Sequence, residues 1–191
     1  MRSRLPLAAV VALSAMIAAC SPQAGDAARP DAAKTDATAA KAAPVTRNAA
    51  QTLTLIGADG ARVVLDRAAV AALPRERISF SRHEDTSVFE GPLLLDVLKA
   101  AGVPASPLRK DQQATALLVT AADGYQVVLG LGETDPATRA DRIIVADTDD
   151  GRPLSAEDGP FMIVAEGDAR AARSPRMIVS VQIIPLGRPR A

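Results

Sequence analysis

Few side chains in this chain can do chemistry. One cysteine, Cys20, and one histidine, His83, stand far apart in 191 residues. That donor supply excludes an internal disulfide, a Cys/His zinc site and any multi-histidine metal site. His83 follows Arg82 in the polar run Arg82-His83-Glu84-Asp85-Thr86-Ser87. An imidazole and a guanidinium there could contact a phosphate or another anion, or sit in a solvated loop. Arg152 and Arg176 pose the same choice between a phosphate fork and an ion-paired or exposed arginine. Glu84 and Asp85 are neighbours, so on a strand they point to opposite faces and form no acid/base pair. Asp147, Asp149 and Asp150 beside Gly151 have part of a calcium loop, but Gly151 occupies a ligand position and comes one residue early, which leaves an aspartate-rich turn. Gly130-Leu131-Gly132-Glu133 is half of a dinucleotide fingerprint without its third glycine, and no G-x-S-x-G elbow supports a serine nucleophile.

The composition narrows the partners. Lysine plus arginine and aspartate plus glutamate balance at 22 each, and no basic run is interleaved with aromatics, so nucleic acid is not an expected partner. With three Phe, one Tyr and no Trp, the core must be aliphatic and there is no stacking platform. The length suits one ordinary domain with accessory segments.

Those accessory segments lie at the N-terminus. Arg2 and Arg4 precede an apolar run from Leu5 to Ala19, a charged start and short hydrophobic region of the secretory kind, too short for a comfortable membrane span. Residues 1–19 are therefore expected to be a signal peptide. The run ends Met16-Ile17-Ala18-Ala19-Cys20, which resembles the bacterial lipoprotein signal. That resemblance implies cleavage after Ala19, lipid on Cys20 and a chain anchored to a bilayer on its periplasmic side. Ser21 stands where an aspartate would favour inner-membrane retention, so the outer membrane is the expected address. From Cys20 to Ala50 the chain is rich in alanine and proline and Val45 is its only large aliphatic residue, a composition that cannot bury a core. It is expected to be a disordered tether with a typical span of roughly 30 Å.

The folded part spans 51–191. The stretch Ile143 to Pro160 organises it: an apolar strand, a connection stiffened by Asp-Gly pairs and by Pro153 and Pro160, then a strand from Phe161 to Ala165. Before it, the pattern predicts a hairpin of 52–56 with 62–65, a helix over 67–73 capped by Asp66, a strand over 78–81, and a loop over 82–87 followed by a break at Gly91-Pro92. It then predicts a helix from Pro92 to Ala101 with Gly102 as its C-terminal cap, a hairpin of 115–121 with 125–129, and a short helix over 134–139. Residues 177–184 close the chain as its longest β-run. Short strands outnumber helices and do not alternate with long ones, so the fold class is α+β, strand-dominated, with mixed sheets.

In order and spacing, several of these pieces resemble the molybdopterin-binding domain of the sulfite oxidase family. They are Phe89-Glu90-Gly91 leading into Leu95-Asp96-Val97-Leu98 and Ala101-Gly102, then Asp123-Gly124-Tyr125, Ile144-Val145-Ala146, Gly151-Arg152-Pro153-Leu154 with Gly159-Pro160, and Arg176 before the last strand. The similarity covers about Gln51 to Leu186. It implies an oxidoreductase-like domain whose active members bind molybdenum through a pterin dithiolene and one protein cysteine, with Arg82, His83, Arg152 and Arg176 as candidate contacts to the cofactor, and a redox protein as a candidate partner. The family's cysteine lies ahead of the segment matching Phe89-Glu90-Gly91, and here Ser79 to Val88 contains none. Ser79, Ser81 and His83 are the remaining donors, all harder than a thiolate. Met162 and Met177 also depart from the pattern, standing where an arginine and an aromatic are common. The resemblance thus implies a molybdopterin-type domain without its metal-ligating thiolate, catalytically degenerate. The other reading is a periplasmic binding or structural module for an anionic ligand or a protein.

The anchor is directly testable. Cys20→Ala is expected to move the chain from the membrane fraction to the soluble periplasmic fraction and to abolish incorporation of labelled fatty acid; unchanged membrane association would contradict the lipoprotein reading.

Overall fold

The computed structural model describes residues 51–82 and 85–187. The signal peptide, Cys20, the tether and His83 lie outside the described residues. In chain order the elements are β1 (Thr52–Ile56), β2 (Arg62–Asp66), α1 (Arg67–Ala71), β3 (Arg75–Arg82), β4 (Asp85–Pro92), α2 (Leu94–Leu98), β5 (Thr115–Ala121), β6 (Gln126–Gly130), β7 (Ile143–Ala146), β8 (Thr148–Asp149), β9 (Arg152–Pro153), β10 (Met162–Ala165) and β11 (Ile178–Pro185). The class is α+β with strands dominant and mixed sheets.

A five-stranded sheet runs in the order β2-β1-β11-β5-β6. Its neighbours are antiparallel except β1 and β11, which are parallel. The period-two alternation puts Leu53, Leu55, Leu117, Val119, Leu129 and Val181 on one face, where all are fully buried. α1, α2 and the β7–β10 pair close over that face. Asp66 caps α1 as its sequence position predicts, its carboxylate accepting from the Ala69 N–H at 2.8 Å. α2 is shorter than predicted. Pro92 ends β4 instead of opening the helix, and a 3₁₀ turn over Lys99–Ala101 finishes it, with Gly102 at φ 82° as the left-handed cap.

β7 and β10 pair antiparallel and are buried at every residue. Ile143, Val145, Ile163 and Ala165 belong to the main core under the five-stranded sheet; Ile144, Ala146, Met162 and Val164 belong to a second core with Ile78, Phe80 and Phe89. The ribbon is therefore a partition between two cores. A four-stranded sheet, β3-β4-β8-β9, covers the second.

Two segments differ from their sequence reading. Of the run 82–87, predicted as a loop, Arg82 ends β3 and residues 85–87 open β4, paired through Arg82↔Asp85. Their polarity reflects a ladder that continues past its core: Phe80 and Phe89 anchor it below, while the Ser81 and Thr86 hydroxyls bond across it at 2.7 Å. The helix predicted over 134–139 is replaced by a 3₁₀ helix over Leu131–Thr134 and a turn. Asp135, buried at 1% exposure, gives its carboxylate to the Ser106 hydroxyl and to the N–H groups of Leu108 and Ala137. Those bonds tie the segment to the 106–108 loop and override local helix propensity.

The hairpin meets the partition at Gly91, where an added Cβ would collide with the backbone carbonyl of Val145. Backbone cannot move aside as a side chain can. Gly91→Ala is expected to lower stability by about 3 kcal/mol or more, read by chemical denaturation, whereas Gly124→Ala, with open space around it, is expected to cost less.

Candidate functional site

The β3–β4 tip, the connection ending in Asp158 and the 168–176 segment enclose an open cleft of about 1110 Å³. Its cations are Arg82, Arg170 and Arg176, and its anions Asp85, Asp158 and Asp168.

Arg82, the last residue of β3, lies with its guanidinium carbon 5.0 Å from the centroid of the Phe89 ring. It donates from both terminal nitrogens to Asp158, at 3.1 and 3.5 Å, and one of them is also 3.7 Å from Asp149. Arg176 donates to the same carboxylate, Nη1 to Oδ1 at 3.2 Å, the oxygen that also accepts from Arg82 Nη1. The backbone fixes this meeting, because the Met177 N–H donates to the Asp158 carbonyl at 2.9 Å, which brings the residue after Arg176 against Asp158. Ser155 adds a hydroxyl donor at 3.3 Å. Burial pushes the Asp158 carboxyl up, but the hydrogen bonds and charges of Arg82 and Arg176 outweigh it, and its pKa lies below the ordinary 3.8. Asp149 Oδ1 is buried without a hydrogen-bond partner. Asp168 is taken by Arg173, which it accepts at 2.7 and 3.0 Å. Arg170, exposed, has no carboxylate partner among the described residues.

Of the candidate residues, Arg82 and Arg176 are brought together, and what they share is an internal carboxylate. Arg152 is not with them. It lies exposed on β9, across the ladder from Asp149 and outside the cleft lining. Ser81 lines the cleft with its hydroxyl bonded to Thr86, and Ser79 is exposed on β3. Met162 is fully buried in the second core and does not reach the cleft. Asp158 and Arg170 were missed by sequence reasoning. Asp158 was legible only as part of an Asp-Gly-Pro turn, because its meaning comes from partners 76 and 18 residues away.

These residues do not fit a cysteine-ligated molybdenum centre. The only cysteine in the sequence is Cys20, outside the described residues, and the described residues contain no group of three or more His, Cys, Asp or Glu side chains placed to hold a metal. Among the described residues, the cleft lining carries as many carboxylates as guanidiniums. The two arginines best placed for a phosphate already hold Asp158.

No protein-family profile matches the sequence, and no curated protein does. Among solved structures, the fold is similar to that of the sulfane dehydrogenase SoxCD from Paracoccus pantotrophus, with a TM-score of 0.52 at 14% identity. The match covers 70% of this chain and 38% of that one, so the chain corresponds to well under half of the longer protein.

The double clamp on Asp158 has a pH signature. A carboxyl held below its ordinary value stabilises the fold above that value, and the stabilisation is lost as pH falls through the lowered pKa. Asp158→Asn is expected to cost about 1–2 kcal/mol near neutral pH and to flatten the fall in melting temperature between about pH 5 and pH 2; a parallel fall in both proteins would contradict the clamp.

Proposed function

We propose that this chain is a lipoprotein of the bacterial envelope, held through Cys20 and most simply on the outer membrane, whose tether presents an oxidoreductase-like domain of the sulfite oxidase type to the periplasm. The domain is catalytically degenerate and serves as a binding module. The resemblance of its sequence pieces and the fold shared with a sulfane dehydrogenase support the oxidoreductase ancestry. Both names belong to sulfur oxidation, although the chain spans 38% of that dehydrogenase.

One observation carries the degenerate reading. Arg82 and Arg176, two of the candidate cofactor contacts, both hold Asp158, and no thiolate stands nearby to bind a soft metal. Two guanidiniums on one mostly buried carboxylate form a satisfied network, and a ligand phosphate would have to displace an internal anion to use either. Among the described residues lining the cleft, Arg170 is the cation without a carboxylate partner, exposed at its rim. Such a rim suits an anionic group on a small ligand or on a partner protein.

Full-length protein matured in a host that makes molybdopterin is expected to contain neither molybdenum nor pterin in stoichiometric amount, by elemental analysis and by fluorescence of the oxidised pterin. Stoichiometric molybdenum would overturn the degenerate reading.

A further inference from the structure

We propose that β2, the free edge of the five-stranded sheet, pairs antiparallel with β2 of a second copy of this chain. The inference rests on the sheet and is independent of the cleft. β2 and β6 are the two edge strands, and among the described residues no strand lies beyond either.

The backbone decides what β2 offers. In an antiparallel ladder, residues alternate between pairs that exchange both hydrogen bonds and pairs that exchange none. The Gly57 N–H donates to the Ala61 carbonyl at 2.8 Å and continues the register Ile56↔Arg62, so Leu55↔Val63 and Leu53↔Leu65 are the bonded pairs. The N–H and C=O groups of Arg62 and Val64 and the N–H of Asp66 therefore point away from β1, while the Asp66 carbonyl opens α1. The side chains of the same three residues lie on the exposed face, Val64 at 61%.

The strand reads Arg62-Val63-Val64-Leu65-Asp66 and is self-complementary when reversed. An antiparallel pair centred on Val64 sets Arg62 opposite the partner copy's Asp66, Val64 opposite Val64, and Asp66 opposite Arg62. The outward backbone groups coincide with the bonded positions of that register. Each directly opposed Arg–Asp pair is favourable and two-fold symmetry supplies it twice. Arg62 has no carboxylate partner among the described residues, and Asp66 commits one oxygen, Oδ1, to the cap of α1. Charges at a strand edge ordinarily repel foreign strands; here they match this chain's own sequence in reverse.

The opposite edge lacks these properties. β6, Gln126-Val127-Val128-Leu129-Gly130, has a similar apolar centre but no charges to set a register. The Gly130 N–H is taken by Glu133 at 3.2 Å, and Tyr125, just before the strand, donates its hydroxyl to the Ala172 carbonyl at 2.7 Å. Val128, 60% exposed, is therefore a matched control for Val64.

Opposed bonded residues in an antiparallel pair lie about 5.5 Å apart at Cα, within disulfide reach. Full-length Val64→Cys protein in native membranes, oxidised with copper phenanthroline, is expected to give a disulfide-linked homodimer. The unsubstituted chain and Val128→Cys are expected to give at most a trace. Adding Arg62→Asp, which sets like charges opposite each other at both ends, is expected to cut the yield roughly tenfold. The proposal is overturned if folded Val64→Cys protein gives no homodimer, if Val128→Cys gives as much, if the yield ignores Arg62→Asp, or if the product has the mass of a different protein.

Discussion

Everything in this domain leans on the two short strands β7 and β10, which no solvent reaches from either side. A ribbon buried on both faces must be apolar at every position, and Ile143-Ile144-Val145-Ala146 and Met162-Ile163-Val164-Ala165 are. Alternate side chains feed the two cores, so the five-stranded sheet and the β3–β4 hairpin are each packed against the same ribbon from opposite sides. Gly91 is the point of closest approach, where the hairpin's backbone rests on the carbonyl of Val145. The connection between β7 and β10 leaves and returns at the end of the ribbon where Ala146 pairs with Met162. Asp158 sits near the end of that excursion, which is how a turn residue comes to stand between two distant arginines.

That position explains the chemistry of the cleft. Asp158 serves Arg82 and Arg176 as an internal anion, and Phe89 beneath Arg82 holds the guanidinium by its flat face. Similar pairings recur elsewhere in the domain. Asp147 takes Arg75 and Glu166 takes Arg142, in both cases holding the carboxyl below its ordinary range. Most of the described arginines are spent on the domain's own carboxylates. With Arg82 and Arg176 both held on Asp158, the described part of the cleft is a rigid ion-paired wall with Arg170 exposed at its rim.

Much of the fold was legible because the signals were local. The β1–β2 and β5–β6 hairpins announced themselves by alternation around Asp-Gly turns, and the α1 cap by one aspartate. The continuous apolar runs at 143–146 and 161–165 read as strands, though their pairing into one buried ribbon did not. The failures have one cause. The tip of the β3–β4 hairpin extends beyond any core, so its strands carry polar residues on both faces and look like loop. Residues 134–139 have helix-compatible composition, but a buried carboxylate tied to Ser106 and Leu108 decides their shape. Of the candidate contacts, Arg82 and Arg176 line the cleft together and Arg152 lies exposed on a two-residue strand outside it, while their shared partner Asp158 could emerge only from tertiary contact.

The most direct test of this account is the ionisation of one carboxyl. In full-length protein with carboxyl carbons labelled, the Asp158 resonance followed by NMR as a function of pH, with and without inorganic phosphate, reports whether the two arginines are already committed. The account predicts a midpoint below 3.8 that phosphate leaves unchanged. A midpoint at or above that ordinary value, or one that rises when phosphate is added, would mean that Arg82 and Arg176 are available to an outside anion and would contradict the internal clamp.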